Sequence, residues 1–458
     1  MNLPRIMIAG TGSGVGKTSL TLGLVALLTR RGLKVQTFKV GPDFLDPTWL
    51  ALASGRPCYN LDGWICGESY VRRLFAEKSA DADIAVIEGV MGLFDGADAT
   101  TSAGSSAEIA RWLATPVLLV ANAHGVARSL AAVVRGFCGF EAGVEISGVI
   151  ANRTGSGRHA AMLSDALQSA GLPSLVGAVP RNGLPGLPSR HLGLVTAGSD
   201  PLTPTLLAEL ADQVECSLQL DSIMALAAAT PTLQLLPSLQ AATSSQPVRI
   251  GIARDGAFHF YYPDNLEALV AQGAELVPFS PLLDHGLPPD LQGIYLGGGY
   301  PEEYGAQLAA NDRMLEAIRL FSATGRPLYA ECGGLMYLSQ GIELLDGSRH
   351  QMAGLLPFWT RMLPRRKVLG YVEATLTQDC LLGNAGQTLR GHEFHYSEII
   401  EETGQAAVCP YLVTKRRTTQ PSRDGYAQGG ILASYLHLQF AAHPEAAASF
   451  VQTCRSFL

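Results

Sequence analysis

No two of the eight cysteines stand in CxxC spacing; Cys58, Cys66, Cys138, Cys216, Cys332, Cys380, Cys409 and Cys454 are scattered over 458 residues. That argues against a zinc knuckle and a dithiol redox motif. Such sparse use in a long chain fits a reducing compartment. The opening MNLPRIMIAGTG has too short an apolar run for a secretory leader. No run reaches the length of a membrane span. Charged residues are few, 16% against 47% hydrophobic, and the net charge is −7. An acidic chain without a basic stripe is not a general nucleic-acid binder. The two small basic clusters, at 365–367 and 415–417, read as solvated loops. Neither an internal repeat nor a low-complexity tract is present. The expectation is a cytoplasmic globular protein of two or three domains. Its partners would be small molecules, not nucleic acid or membrane, and a homo-oligomer is compatible with that reading.

What is present is an alternation of short apolar runs with helix-length segments. Runs at 6–9, 35–39, 84–88, 117–121, 146–151 and 175–179 read as buried strands. Between the first two, residues 17–31 carry Leu20, Leu24, Leu27 and Leu28 on one helical face, with Gly32 as the stop. This pattern predicts an α/β fold with a parallel sheet covered on both faces. Ligands of such sheets bind beyond the carboxyl ends of the strands. A Ser/Thr/Pro/Gln-rich stretch at 236–247 reads as a linker. Residues 1–235 then form one domain and 248–458 a second α/β domain, with strands at 248–253, 293–296, 327–330 and 430–436.

The first strand runs into GTGSGVGKT at 10–18 and then into a helix. Glycine N–H groups and a helix N-terminus in that context cradle phosphates. Gly12, Ser13, Gly14, Val15, Gly16, Lys17 and Thr18 are therefore ATP-binding candidates, and Lys39, at the end of the second strand, is grouped with them. Lys17 would reach the terminal phosphates and Thr18 would hold Mg²⁺. The strict GxxxxGK[ST] register falls on Thr11, one step after Gly10. Partition-type ATPases carry a further lysine five residues before the loop lysine; here that place is Gly12.

Two acidic segments accompany the loop. FKVGPDFLDP places Asp43 and Asp46 just past the strand end at Lys39, and IEGVMGLFDG puts Glu88 at a strand end with Asp95 nearby. A hard cation beside phosphates takes one or two carboxylates and a hydroxyl. Thr18, Asp43 and Glu88 supply that set if their strands are neighbours. Asp46 and Asp95 are assigned to substrate.

In PLYAECGGLMYL a strand-like run turns abruptly into a helix at Cys332. Such an elbow exposes a nucleophile at a helix N-terminus, where a thiolate is favoured. Gly333, with Gly298 and Gly299 of YLGGGYPEEY, would supply oxyanion donors. A thiol needs a base. His437 closes the apolar run 431–436, while His443 lies in HPE, a His-x-Glu pattern at an expected helix start. His437 is the preferred base. Gln439, not an acid, stands two residues after it, which implies a Cys–His dyad oriented by another group. HEFH at 392–395 is one residue short of HExxH, so no zinc-protease face forms; it reads as a structural strand, with an interface role as the lesser alternative.

Taken in order, GTGSGVGKT, GPDFLDP, EGVMGLFDG, GGGYPE, AECGGLMYL, GHEFHYS and ASYLHLQF resemble the cobyrinate a,c-diamide synthases, glutamine-dependent amidases of corrin biosynthesis. The likeness runs from residue 4 to about residue 440. It implies an N-terminal P-loop NTPase-like domain similar to dethiobiotin synthetase and a C-terminal class I glutamine amidotransferase-like domain. Cys332 matches the nucleophile and His437 the base; Thr18, Asp43 and Glu88 lie near Mg²⁺. ATP and glutamine would be co-substrates, and an acyl phosphate of a corrinoid polycarboxylate the intermediate. Cobyrinic acid is the favoured substrate; hydrogenobyrinic acid and a nickel tetrapyrrole are the alternatives. The sequence departs from the family pattern at Gln439, where histidine is usual, and at His443. A reading of another class is a nucleotide-gated switch or partition ATPase, which predicts loss of Cys332 or His437; both are present.

Overall fold

The computed structural model describes residues 2–187, 189–190, 193–194, 203–233, 246–400, 408–416 and 420–458. The chain separates into two compact units, Met1–Leu239 and Gln240–Leu458. Of the expected linker at 236–247, residues 236–245 lie outside the described residues.

In the first unit, β1 (Arg5–Gly10), β2 (Val35–Val40), β3 (Tyr59–Leu61), β4 (Ile84–Glu88), β5 (Val117–Asn122), β6 (Ile146–Thr154) and β7 (Leu175–Pro180) form one sheet. Their order is β3-β2-β4-β1-β5-β6-β7, with every pairing parallel. β1, β2 and β4 are buried along their whole length, as strands of a sheet covered on both faces must be. The helix α1 (Lys17–Arg30) buries Leu20, Leu24, Leu27 and Leu28, and also Leu22 and Val25. The second set packs in the same core as Leu210, Ala211 and Val214 of helix Thr203–Ser217. This second cover explains why α1 is apolar beyond a single stripe. Each apolar side chain so buried contributes roughly 1.5–3 kcal/mol.

The second unit holds β8 (Val248–Ala253), β9 (Ala274–Phe279), β10 (Gly293–Leu296), β11 (Leu328–Glu331), β12 (Val368–Leu376), β13 (Thr388–His395), β14 (Tyr411–Lys415), β15 (Ser422–Asp424), β16 (Tyr426–Gln428), β17 (Ile431–Ser434) and β18 (Leu436–Leu438). One sheet runs β9-β8-β10-β11-β17-β16. It is parallel except for β16, which closes its edge as a hairpin with β17. A second sheet, β15-β14-β12-β13-β18, is antiparallel throughout.

That second sheet corrects the sequence expectation. The run 430–436 reads as one strand, yet the chain breaks at Tyr435 and passes from the parallel to the antiparallel sheet. A continuous apolar run cannot reveal such a switch, because β17 and β18 are both fully buried. His437 is consequently central in β18, paired with His392 of β13, and not at the end of a parallel strand. Residues 365–367 lie in an exposed loop, as read, while Lys415 belongs to a strand, and residue 417 lies outside the described residues. Lys367 pairs with Glu398 at 2.9 Å and Lys415 with the buried Glu393 at 2.7 Å.

One buried cation ties the first unit together. Arg5 of β1 is fully buried and donates to the carbonyls of Leu3, Leu113, Ala114 and Pro231, the last at 2.7 Å. Burial pushes its guanidinium down to about 10. Arg5→Ala leaves those carbonyls without their donor, and should lower the stability of this unit by about 3 kcal/mol. Urea titration read by hydrogen exchange of peptides from β1 measures the loss. A midpoint unchanged from wild type would contradict it.

Candidate active sites

The parallel register of the first unit decides which strand ends meet. β2, β4 and β1 lie side by side, with Lys39 opposite Glu88 and Glu88 opposite Ile8. The phosphate-loop candidates follow β1, so loop, lysine and acid share one end of the sheet. Gly16 has φ 101°, and a Cβ there would sit 2.2 Å from Asn152 Nδ2. Asn152 braces the loop by donating to the Val15 carbonyl at 2.8 Å. Gly12 and Gly14 border open space, as a cradle for a ligand requires. Lys17 Nζ donates to the carbonyls of Gly12 and Met91. Burial, then the Lys39 charge, lower its pKa.

Below the loop lies a buried charge cluster. Lys39 Nζ is 2.6 Å from Asp46, 2.9 Å from Glu88 Oε1 and 3.9 Å from Asp43. Burial opposes the Lys39 ammonium, but Asp46, Glu88 and Asp43 outweigh it and hold the group above the ordinary lysine range. Burial pushes Glu88 up against the pull of Lys39. Burial and the Asp46 charge push Asp43 up. Thr18 Oγ1 donates to Glu88 Oε1 at 2.7 Å. Glu88 Oε2 is buried without a hydrogen-bond partner among the described residues, and an orphan carboxylate oxygen beside a phosphate-loop hydroxyl suits a hard cation. Asp43 Oδ1 accepts from the N–H groups of Leu45 and Asp46, so it also shapes its own turn. Asp46 is committed to Lys39. Asp95 accepts from Gly92 N–H at 2.8 Å and fixes the 92–95 turn.

In the second unit the parallel pairs bring Glu331 opposite Ser434, and Cys332 N–H donates to the Ser434 carbonyl at 2.8 Å. Cys332 has φ 47° and ψ −101° and precedes helix Gly333–Leu338. A cysteine in the left-handed region is strained, as at a nucleophile elbow. The helix terminus does favour the thiolate through the Gly333 N–H, but it is outweighed. Burial is the larger effect, and with the Glu302 charge it pushes the thiol well above its ordinary range. The thiol is therefore protonated at neutral pH and depends on a base.

The glycines account for the closeness of the parts. A Cβ on Gly298 would lie 2.6 Å from His437 Cε1, and one on Gly333 would lie 3.1 Å from the Gly299 nitrogen. Gly298–Gly299, expected as a turn, is a short strand paired with Phe258–Phe260, and it lies against the imidazole on one side and the elbow on the other. Gly299 has φ 154°, and a Cβ there would collide with the Ala257 carbonyl oxygen at 2.0 Å. His443 sits elsewhere: its Nε2 accepts from Arg390 N–H at 3.4 Å, its Nδ1 lies 3.6 Å from Glu445, and Pro444 opens helix Pro444–Arg455.

Asn152 and Glu331 have no assigned role in the sequence reading, and His392 reads there as part of a strand. Asn152 braces the phosphate loop from the end of β6. Glu331, next to the nucleophile in sequence, lies with Oε2 3.5 Å from His437 Nδ1. His392 stacks on His437 with ring centres 4.9 Å apart and an 18° interplanar angle, so the GHEFHYS strand borders the site. Its partners Glu393 and His395 bond to each other at 2.9 Å.

Two outcomes test this geometry. Iodoacetamide labelling of Cys332, followed by peptide mass, should keep rising about tenfold per pH unit up to pH 9, since burial suppresses the thiolate; a plateau near pH 7 would show a low-pKa thiol. Gly298→Ala should displace His437 and slow glutamine hydrolysis by about 10²-fold, measured as glutamate release, while nucleotide binding is unchanged.

The sequence comparisons agree with two such sites. Residues 6–194 match the CobQ/CobB/MinD/ParA nucleotide binding domain, and residues 249–445 match the CobB/CobQ-like glutamine amidotransferase domain. Together they establish the α/β class with a P-loop NTPase-like and an amidotransferase-like domain. The cobyrinate a,c-diamide synthase of Syntrophotalea carbinolica is 59% identical over 99% of both chains. Those of Leptospira interrogans, at 43% over 99% of both, and Salmonella typhimurium, at 42% over 99% of this chain and 98% of the relative, are similar throughout. On this full-length likeness, the chain belongs to the cobyrinate a,c-diamide synthase family.

Proposed function

We propose that the protein is an ATP-dependent ligase that converts the a and c carboxylates of cobyrinic acid to amides with ammonia from glutamine. The full-length identity to relatives bearing that name carries the reading, and the chemistry at both sites supports it. In the first unit, residues 12–18 and Lys39 would hold ATP, with Lys17 at the terminal phosphates. A carboxylate oxygen of the substrate attacks the γ-phosphorus and ADP leaves, giving an acyl phosphate. Ammonia then attacks the acyl carbon, and phosphate leaves as the amide forms. Thr18, Asp43 and Glu88 are the residues that would hold Mg²⁺, which when bound neutralises charge on the transferring phosphoryl group. Asp46 and Asp95 border this site as candidate substrate contacts.

In the second unit, His437 takes the Cys332 proton and the sulfur attacks the side-chain amide carbon of glutamine. The oxyanion would face N–H groups among Gly298, Gly299 and Gly333, each such donor contributing about 3 kcal/mol. As the intermediate collapses to the thioester, the departing nitrogen takes the proton from His437 and leaves as ammonia; water then hydrolyses the thioester and frees glutamate.

Mass spectrometry of the corrinoid product, with ATP and glutamine supplied, should show two carboxyl-to-amide conversions on cobyrinic acid. Faster conversion of hydrogenobyrinic acid or a nickel tetrapyrrole would reassign the substrate. ATP hydrolysis without amide formation on any of them would favour the switch ATPase. Cys332→Ser should abolish glutamine use but retain activity with added ammonia, whereas Lys17→Ala should lose both. Loss of both activities in Cys332→Ser would count against separate sites.

A further inference from the structure

The proposed glutaminase lacks an acid two residues after its base. Gln439 occupies that place, and its Nε2 donates to Asp264 at 2.7 Å instead. A lone Cys–His pair leaves open which imidazole nitrogen carries the proton and how the ring is aimed.

Glu331 stands where the missing acid would act. It is buried, and three donors fix its carboxylate: Tyr329 hydroxyl to Oε1 at 2.7 Å, Leu438 N–H to Oε1 at 3.2 Å and Tyr295 hydroxyl to Oε2 at 3.1 Å. Oε2 also faces His437 Nδ1 at 3.5 Å, a separation that a small ring rotation closes to a hydrogen bond when substrate binds. Tyr295, Tyr329 and His437 face this carboxylate directly, and its charge also reaches Tyr261, Tyr411 and the Cys332 thiol. On the ring face, His392 stacks flat against His437 while its own Nδ1 meets the Tyr262 hydroxyl at 3.1 Å. Burial, then the neighbouring imidazole, hold His392 well below the ordinary histidine range, so it walls the site without competing for the proton. The Gly298 backbone closes the ring's Cε1 side.

We infer that Glu331 is the positioning acid of this glutaminase: it accepts the His437 Nδ1 proton in a hydrogen bond, leaving Nε2 unprotonated to receive the thiol proton. The third member of the triad is thus supplied by the residue before the nucleophile. Alternation along a strand would send consecutive side chains to opposite faces. The left-handed turn at Cys332 breaks that alternation and lets both residues serve one imidazole. This inference rests on the glutaminase role proposed above.

The test uses the full-length protein and compares Glu331→Gln with wild type under glutamine and under ammonia. The glutamine-driven kcat should fall about 10²-fold with the KM for glutamine within about threefold, while the ammonia-driven rate changes less than twofold. Glu331→Asp should recover about tenfold of the loss. A glutamine-driven kcat within threefold of wild type, an equal fall in both activities, or an aspartate variant no better than the glutamine variant would each overturn the assignment. Wild type inert with glutamine would instead defeat the functional proposal. Should Glu331→Gln not fold, ¹⁵N-histidine spectra of the wild type, with the His437 signal identified by its loss in His437→Gln, still decide. A neutral ring protonated on Nδ1 is the expected result, and one protonated on Nε2 overturns the inference.

Discussion

A buried thiol cannot attack an amide until a base beside it takes its proton, and much of the second unit's local structure answers that constraint. Burial and the Glu302 carboxylate hold the Cys332 proton on. The strained backbone at residue 332 turns the side chain out of the strand direction. The Gly298–Gly299 strand then permits an imidazole on one flank, at a separation no Cβ would allow, and the elbow closely on the other. Strain, burial and close backbone approach are each unfavourable alone. The packing around Leu335, Met336, Tyr337 and Leu338, all buried, offsets them.

The first unit solves a different electrostatic problem. Carboxylates must wait beside the phosphate loop without repelling a polyanion. Lys39, buried and bonded to Asp46 and Glu88, neutralises part of that charge in advance. A buried cluster of this kind gains little net stability, because desolvation offsets the attraction. Its value lies in holding Glu88 and Thr18 in a fixed relation at the end of the sheet.

The corrections share one cause. Periodicity reports whether a face is buried, not which sheet buries it. Residues 431–436 are apolar except for Ser434, so the break at Tyr435 leaves no mark, and the run places His437 at the end of a strand it does not occupy. GHEFHYS alternates as a strand should, but nothing in its pattern sets His392 against His437, since the two pair across 45 residues of chain within the antiparallel sheet. The thiol erred the other way: a helix N-terminus is visible in sequence, but the burial that outweighs it is not.

Local chemistry, then, was legible from residue order alone. The glycine loop before an apolar helix, the acids at strand ends and the glycine-flanked cysteine each depend on neighbours within about ten residues, where backbone geometry is set by local sterics and turn preferences. Tertiary structure decided which of these pieces meet: Lys39 with Glu88 through parallel register, Gly298 with His437 through close approach, and Glu331 with the same imidazole through a left-handed elbow. Such pairings are fixed by packing between distant segments, and distance in space is not written in the spacing of residues along a chain.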